Sequence, residues 1–268
     1  MELTALDVQA WLAEDVGTGD VTTASVVDAG AACEARLLLK EPGVVCGLGV
    51  AASVFAALGA RLEPVAEEGQ EVQPGPIAFV SGRARAVLTG ERLALNLVGR
   101  LSGVATLTRR YVDAVEGTGA VVLDTRKTTP GLRALEKHAV RCGGGTNHRL
   151  GLFDGVLIKD NHLRVGGPLP AAVERAKTTG FPVEVECDTI EQVAEAVDAG
   201  AERILLDNMS PALLRRAVAL VGGRAQLEAS GGVSLETVRE IAETGVDFVS
   251  VGALTHSARS LDVSLEVL

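Results

Sequence analysis

The chain has 268 residues, 47% of them hydrophobic and only 3% aromatic, and it carries a formal net charge of −10. This acidic balance argues against a nucleic-acid partner and an anionic membrane surface, and so few aromatic residues make base-stacking platforms unexpected. A core built from Ala, Val, Leu and Ile suits helices packed on a mostly parallel sheet, in one large or two small domains.

Residues 1–103 contain short helix-like and strand-like segments that predict a small N-terminal α/β sandwich domain. An amphipathic helix opens the chain, and a second helix, from Val50 to Leu58, ends at Gly59. Apolar or alternating runs bounded by turn residues predict strands at residues 33–39, 44–46, 61–65 and 77–81.

A long helical segment with an apolar face follows, from Ala84 to about Glu116. We expect the small residues Ser102 and Gly103 to break or kink it. We place the domain boundary after residue 103, with a second domain over residues 104–256. The last segment, residues 257–268, is expected to fold back on the first domain.

In the second domain the pattern becomes periodic, with strand-like apolar runs separated by helical segments. Thr189 begins a capping box, Ser210-Pro211 is typical of a helix start, and Ser234 is expected to cap a helix that ends at Gly245. Repeated strand–helix units predict a parallel sheet, either a barrel or an open doubly wound sheet. The strand-like runs are residues 121–124, 155–158, 182–186, 203–207, 226–229 and 247–251.

The ends of these runs favour the barrel. Nearly every run ends in a charged or polar residue that could act on a ligand, or in a small residue that would let a ligand approach the backbone. Barrels build their sites from the carboxyl ends of many strands, whereas an open sheet concentrates its site at one switch point. Six runs fall short of the eight strands of a complete barrel. The predicted fold class is therefore α/β, an N-terminal α/β sandwich followed by an open, incomplete α/β barrel.

Basic side chains gather around the ends of the first two runs, in a protein that is acidic overall. Arg can hold a carboxylate or phosphate bidentately, while Lys acts as a compact charge. We interpret the set as a site for a multiply charged anion; the alternative is ion pairing with Asp124, Asp154 and Asp160. The set is Arg126, Lys127, His148, Arg149 and Lys159.

Glu186 and Asp207 end two neighbouring runs. They could bind sugar hydroxyls or magnesium with help from substrate oxygens, or they could simply balance the charge of the lysines. Glycine turns follow the last two runs, at Ser230-Gly231-Gly232 and Val251-Gly252-Ala253. Together with a helix starting at Ser234, these turns expose backbone N–H groups and suit a phosphate.

The four cysteines contain no CxxC pair, and the four histidines show no metal-ligand spacing. We therefore expect free thiols in a reducing compartment, with neither a disulfide framework nor a zinc site. The acidic N-terminal segment does not resemble a signal peptide, and no apolar run is long enough to span a membrane. A cytoplasmic protein is expected.

Several longer segments carry a family resemblance that extends over nearly the whole chain. They are EDVGTGDVTT at 14–23, ERLALNLVGRLSGVAT at 91–106, DTRKTTPGLRALEKHAVRCGGGTNHRLGLFDGVLIKDNH at 124–162, VEVECDT at 183–189, LLDNMSP at 205–211, EASGG at 228–232 and VSVGALTHS at 249–257. In this order they resemble the quinolinate phosphoribosyltransferases. The resemblance implies a sandwich followed by an open barrel. It also implies Mg²⁺-dependent transfer from 5-phosphoribosyl 1-diphosphate to quinolinate, with release of CO₂ and diphosphate.

The resemblance also implies roles for individual residues. Lys127, Lys159, Glu186 and Asp207 would be catalytic, and Glu186 and Asp207 would serve the ribose hydroxyls and magnesium. Arg92 would enter the site of a neighbouring subunit, so a homodimer is expected and a hexamer of dimers is left open. No organic cofactor is expected. The quinolinate carboxylates would be surrounded by Arg126, His148, Arg149 and Lys159, with Thr125 and Lys127 nearby, and the phosphate end would be lined by Ser230, Gly231, Gly232, Val251, Gly252 and Ala253.

Two other functions compete with this expectation. A related phosphoribosyltransferase could use another pyridine or a purine-like acceptor, although Arg126 together with Arg149 favours a dicarboxylate. A non-catalytic barrel could instead bind an anionic metabolite as a sensor. Glu186 and Asp207 beside the basic set argue against a sensor.

Overall fold

A computed structural model describes residues 5–268, with side chains from Val8 onward. The chain forms two compact units, each made of separate segments. The first unit comprises the chain through Arg109 with Thr129–Gly144 and Ala258–Leu268; the second comprises Arg110–Thr128 and Gly145–Ser257. The expected boundary after residue 103 lies inside a continuous helix, Ala84–Ala114, and stays a prediction.

The first unit contains a four-stranded antiparallel sheet in the order β12-β1-β5-β3, beside a two-stranded pair of β2 and β4. Ala35 on β1 faces Val80 on β5 and Val267 on β12, so the C-terminal strand closes one side of this sheet. The expected strands are present with small shifts of their ends. The strands are β1 (Ala32–Leu39), β2 (Gly43–Val44), β3 (Arg61–Pro64), β4 (Glu71–Val72), β5 (Gly75–Arg83) and β12 (Val263–Val267).

Five helices accompany this sheet, and buried aliphatic and aromatic side chains form the core, including Leu37, Phe55 and Ile77. The third helix ends as expected at Gly59, which has a positive φ of 85° and donates its N–H to Phe55 and Ala56. The second helix was not predicted from the sequence. The helices are α1 (Ala5–Val16), α2 (Val21–Val26), α3 (Leu48–Leu58), α4 (Ala84–Ala114) and α5 (Arg133–Cys142).

The expected break at Ser102 and Gly103 is wrong, because α4 runs through both residues. The Ser102 hydroxyl donates to the Cys46 carbonyl at 3.0 Å and accepts from its N–H at 2.9 Å. A side chain at Gly103 would collide with the Arg259 carbonyl oxygen. Small residues are needed here for close packing of other segments against the helix, and not for a kink.

The second unit contains a parallel six-stranded sheet in the order β6-β11-β10-β9-β8-β7. The described first and second strands of this unit, β6 and β7, form no ladder with each other, so the ring stays open between them. The expected open α/β barrel is thereby confirmed. The strands are β6 (Val121–Leu123), β7 (Val156–Ile158), β8 (Val183–Cys187), β9 (Arg203–Asp207), β10 (Gln226–Ser230) and β11 (Phe248–Ser250).

Helices connect these strands, and two of the three expected helix starts are confirmed. Gln192 and Thr189 form a reciprocal capping box, and Ser210 accepts from the N–H of Leu213 at 3.4 Å. The helix expected from Ser234 begins only at Val238. None of the helices in residues 5–268 combines the length and apolarity needed to cross a membrane. The helices are α6 (Asp160–Gly166), α7 (Leu169–Lys177), α8 (Ile190–Asp198), α9 (Pro211–Val221), α10 (Val238–Ala242) and α11 (Ala253–His256).

Candidate active site

A cavity of about 540 Å³ lies at the carboxyl ends of the parallel strands in the second unit. All six strands contribute to it, from their last residues or from the turns that follow. This is the position in which barrels carry their sites. The expected site residues that line it are Thr125, Arg126, Lys127, His148, Arg149, Lys159, Glu186, Asp207, Ser230, Gly231, Gly232, Gly252 and Ala253.

Two guanidinium groups, those of Arg126 and Arg149, line the cavity close enough to influence each other. Arg149 donates from Nη1 to the Gly155 carbonyl at 3.0 Å, which fixes its direction. Burial and the neighbouring charge of Arg126 lower the pKa of Arg149. Two like charges held together in a half-buried place are stabilised by an anion between them.

His148 enters the cavity beside two buried carboxylates. Its Nε2 lies 2.9 Å from a Glu184 oxygen and 3.5 Å from a Glu228 oxygen. Burial opposes protonation, but the hydrogen bond to Glu184 and the charges of both carboxylates raise the pKa of His148. The backbone beneath it is held by the fully buried Asp124, which accepts from the His148 N–H at 2.9 Å and from Asn147 Nδ2 at 2.6 Å.

Glu228 is fully buried and lines the inner end of the cavity beside His148. Ser250 donates its hydroxyl to Oε1 at 2.5 Å, and Arg203 places Nη1 3.6 Å from Oε2. Burial and the charge of Glu184 raise the pKa of Glu228 to about 7. A proton can therefore be held or released beneath His148 near neutral pH.

Lys159 and Glu186 form an ion pair across the ends of β7 and β8. Glu186 is mostly buried, with 15% of its side chain exposed, whereas Lys159 keeps 42% of its side chain in contact with solvent. The Lys159 N–H donates to Nδ1 of His162 at 2.9 Å, which anchors the turn into α6. The ammonium group is thus placed at the cavity by a carboxylate on one side and a fixed backbone on the other.

The turn after β10 supplies backbone groups rather than side chains. Gly231 and Gly232 have positive φ angles of 96° and 60°, and a side chain at Gly231 would collide with Asn208. The expected contribution from a helix starting at Ser234 is wrong, because α10 is short and begins at Val238. A phosphate bound here would accept hydrogen bonds from the backbone N–H groups of the glycine turn itself.

Family models match both parts of the chain. The model for the quinolinate phosphoribosyl transferase C-terminal domain matches residues 104–266, and that for the N-terminal domain matches residues 20–102. The chain belongs to the quinolinate phosphoribosyl transferase family. The family resemblance that the sequence motifs carry is thereby confirmed.

Named relatives and a solved structure align with almost the whole length of this quinolinate phosphoribosyl transferase family member. A nicotinate-nucleotide pyrophosphorylase (carboxylating) of Mycobacterium leprae is 47% identical, covering 96% of this chain and 94% of the relative. The chloroplastic enzyme of that name from Arabidopsis thaliana is 43% identical over 96% of this chain and 80% of its own length. The structure of the nicotinate-nucleotide pyrophosphorylase from Francisella tularensis superposes with a TM-score of 0.95 at 38% identity, covering 100% and 98%.

Two expected site residues of this family member do not line the cavity. Val251 is buried, and its N–H donates to the Leu123 carbonyl at 2.9 Å, so it supports the turn without reaching the cavity. Arg92 lies exposed on α4 and is not among the lining residues. Its expected role in a neighbouring subunit's site stays a prediction.

The sequence reasoning missed Glu184 and Glu228, the two carboxylates beside His148. A signal was present, because each interrupts an apolar strand, in VEVEC and QLEAS. Residues two apart in a strand share a face, so Glu184 lies on the same face as Glu186, and Glu228 on the same face as Ser230. Charged residues on the inner face of a barrel strand indicate a polar network beneath the site.

Glu186 and Asp207 provide a donor set that fits magnesium. Both line the cavity on the adjacent strands β8 and β9, and both offer only carboxylate oxygens, the ligands that Mg²⁺ prefers. Asp207 accepts from Asn208 Nδ2 at 2.7 Å, which orients its carboxylate. Among the described residues these two belong to no tight group of three or more protein ligands, so such an ion needs substrate oxygens and water as well.

Proposed function

We propose that this protein transfers the phosphoribosyl group of 5-phosphoribosyl 1-diphosphate to quinolinate and removes one carboxylate, giving nicotinate mononucleotide, CO₂ and diphosphate. This is the step that forms the pyridine nucleotide in de novo NAD synthesis. Membership of the family and the names of the relatives at 43–47% identity support the reaction.

The paired guanidinium groups of Arg126 and Arg149 carry this proposal. Quinolinate has two adjacent carboxylates, and two bidentate cations in one half-buried cavity suit such a dianion better than a singly charged ring. Lys159 adds positive charge to the same cavity, which His148 also lines. A purine-like acceptor carries no carboxylates to interact with this charge and would bind poorly.

The acidic side chains and the glycine turn of the cavity suit the sugar donor. Glu186 and Asp207 can accept hydrogen bonds from the ribose hydroxyls, and the turn of Ser230, Gly231 and Gly232 can meet a phosphate with backbone N–H groups. Bound magnesium, held by Glu186 and Asp207, would neutralise charge on the diphosphate oxygens. Lys127, whose carbonyl accepts from Thr255 at 2.8 Å, adds a further cation next to this region.

The cavity residues stabilise charge during the reaction and form no covalent bonds to the substrates. The pyridine nitrogen attacks the anomeric carbon of the sugar, forming a C–N bond, while the C–O bond to diphosphate breaks and the electron pair leaves with diphosphate. Lys127 and Lys159 would stabilise the developing negative charge on the leaving group. The ribosylated nitrogen is positive, so it stabilises the carbanion that remains when CO₂ departs, and a proton then completes nicotinate mononucleotide. No covalent enzyme intermediate and no organic cofactor are required.

We also propose that the working unit is a homodimer in which Arg92 from one subunit enters the cavity of the other; a hexamer of dimers remains open. The exposure of Arg92 on α4 supports this, because an exposed basic side chain that is not among the cavity-lining residues of its own chain is available to a second copy. The proposed location is the cytoplasm.

The deciding experiment supplies purified protein with quinolinate labelled in the carboxylate that is lost, 5-phosphoribosyl 1-diphosphate and Mg²⁺. Labelled CO₂ and nicotinate mononucleotide should appear in equal amounts. Turnover of nicotinate without turnover of quinolinate would show a related transferase with another acceptor. Tight binding of quinolinate with no product in the presence of the sugar donor would show a sensor.

A further inference from the structure

A second group of chemically capable side chains lies in the first unit, and none of its members is assigned to the reaction. Cys46 precedes α3, Glu68 lies in the loop between β3 and β4, and His138 and Cys142 are four residues apart near the end of α5. One ligand atom from each of the four lies within 4.8 Å of the others. Residues four apart on a helix share a face, which explains how His138 and Cys142 point to the same place.

The spacing of these atoms matches a tetrahedral metal site. The Cys142 sulfur lies 3.4 Å from His138 Nε2 and 3.8 Å from Glu68 Oε2, and His138 Nε2 lies 3.4 Å from the same Glu68 oxygen. Bonds of about 2.0–2.3 Å from zinc to nitrogen, oxygen and sulfur place tetrahedral ligands roughly 3.3–3.8 Å apart. The three distances lie within this range, and the Cys46 sulfur, within 4.8 Å of the other ligand atoms, completes a set of four.

The ligands are held by other groups, as the ligands of metal sites usually are. Both Glu68 oxygens accept from the Gly47 N–H at 3.0 Å, and one also accepts from the Gly49 N–H at 3.2 Å. The Cys46 backbone is fixed on both sides by Ser102. These contacts hold the Glu68 carboxylate and the Cys46 backbone in place beside the other two ligands.

The chemistry of the sulfurs also suits a metal. Zinc binds cysteine as the thiolate, and Cys46 and Cys142 place two sulfurs beside the imidazole of His138 and the carboxylate of Glu68. Two sulfurs, one imidazole and one carboxylate form a set that borderline-soft Zn²⁺ accepts in four-coordinate sites.

We propose that Cys46, Glu68, His138 and Cys142 bind one Zn²⁺ ion in a structural site of the first unit. All four positions are protein ligands, so the ion has no open position for catalysis. It joins the end of α5 to the loops before α3 and β4. The scattered sequence positions, from which no zinc site was expected, are brought together by the fold.

The test uses untagged protein purified without chelators, analysed for metal and then refilled with Co²⁺ after zinc removal. We expect about one zinc per chain, and a cobalt spectrum with the intense visible bands of tetrahedral coordination and a thiolate charge-transfer band. Cys142→Ser should lose most of the zinc and the charge-transfer intensity. Cys33→Ser, a free cysteine outside the group, should keep both.

Two other outcomes would overturn the proposal. Wild-type protein with no zinc and an octahedral cobalt spectrum would leave only hydrogen-bonded contacts among Cys142, His138 and Glu68. A disulfide between Cys46 and Cys142, found by mass spectrometry in protein isolated under reducing conditions, would show a redox pair. If Cys142→Ser does not fold, the cobalt spectrum of the wild-type protein decides, because it needs no variant.

Discussion

Glu184 and His148 are joined by a 2.9 Å contact between a carboxylate oxygen and Nε2, inside the barrel, where His148 lines the cavity. His148 Nδ1 accepts from the Arg149 N–H at 2.7 Å, so the ring is held from both sides. Against the effect of burial, the hydrogen bond and charge of Glu184 raise the pKa of His148, and the contact fixes the orientation of the ring. Glu184 is therefore a positioning residue for a side chain that lines the cavity.

Replacing Glu184 with Gln should lower the pKa of His148 and weaken quinolinate binding. The carboxylate charge that raises the pKa of His148 is lost, while the shape of the side chain is kept. We expect KM for quinolinate near neutral pH to rise about tenfold, equivalent to about 1.4 kcal/mol, with a smaller change in kcat. Steady-state kinetics and NMR titration of the ring measure both effects. The exposed Glu202→Gln is the control, and an unchanged titration of His148 in Glu184→Gln would refute the coupling.

Arg126→Ala and Lys159→Ala should each nearly abolish turnover while the fold is retained. Each variant removes a cation that stabilises bound carboxylate or departing diphosphate, and the loss of one such group commonly costs about 10²–10³-fold in rate. Labelled CO₂ release measures activity, and thermal unfolding confirms the fold. The controls are Arg216→Ala, exposed on α9, and Lys177→Ala, near the end of α7. Near-normal kinetics in Arg126→Ala or Lys159→Ala would remove that residue from the site.

The sequence predicted the strands of the barrel because each is a short apolar run with polar chemistry at its carboxyl end. It did not predict the polar interior, since nothing in VEVEC shows that Glu184 meets His148, a residue from another segment. At Gly103 the sequence suggested a feature that the structure does not have, a kink in the helix. A glycine inside a helix suggests a kink, yet its function here is to admit the Arg259 backbone, a contact between residues far apart in sequence.

Asp207→Asn should raise the concentration of Mg²⁺ needed for half-maximal activity and the KM for 5-phosphoribosyl 1-diphosphate. The amide keeps the hydrogen-bonding shape but removes half of the negative charge that Glu186 and Asp207 offer to the ion. We expect a shift of about tenfold or more, with KM for quinolinate little changed. Kinetics at several Mg²⁺ concentrations measure the shift. Asp198→Asn, an exposed change on α8, should behave as wild type, and an unchanged Mg²⁺ dependence in Asp207→Asn would exclude Asp207 as a ligand.

Mixing two inactive variants should restore activity if Arg92 acts in a neighbouring subunit. In a hybrid of Arg92→Ala and Arg126→Ala chains, one cavity has its own Arg126 and receives Arg92 from the partner. With random pairing of subunits, roughly one quarter of the wild-type activity should return. The control mixes Arg126→Ala with Lys159→Ala, both of which damage their own cavity. In that hybrid both cavities are damaged, so no activity should return. Failure of the first mixture, with subunit exchange verified, would place Arg92 outside the shared site.

Glu228 should make the protein less stable as the pH rises towards neutrality. Its pKa is raised from 4.5 to about 7 by burial and by Glu184, opposed by His148, Ser250 and Arg203. The folded protein therefore holds a proton that the unfolded chain has released between these two values. The stabilisation is complete below about pH 4.5 and is lost as the pH rises through about 7.

The measurement is the free energy of unfolding in urea at several pH values across that window. Glu228 alone can contribute a downward slope of up to about 1.4 kcal/mol per pH unit. Glu228→Gln, neutral at every pH, should flatten the slope, whereas the exposed Glu240→Gln should leave it unchanged. A slope that is identical in Glu228→Gln and wild type would mean that Glu228 is ionised in the folded state throughout. The proton beneath His148 would then have to be assigned to another group.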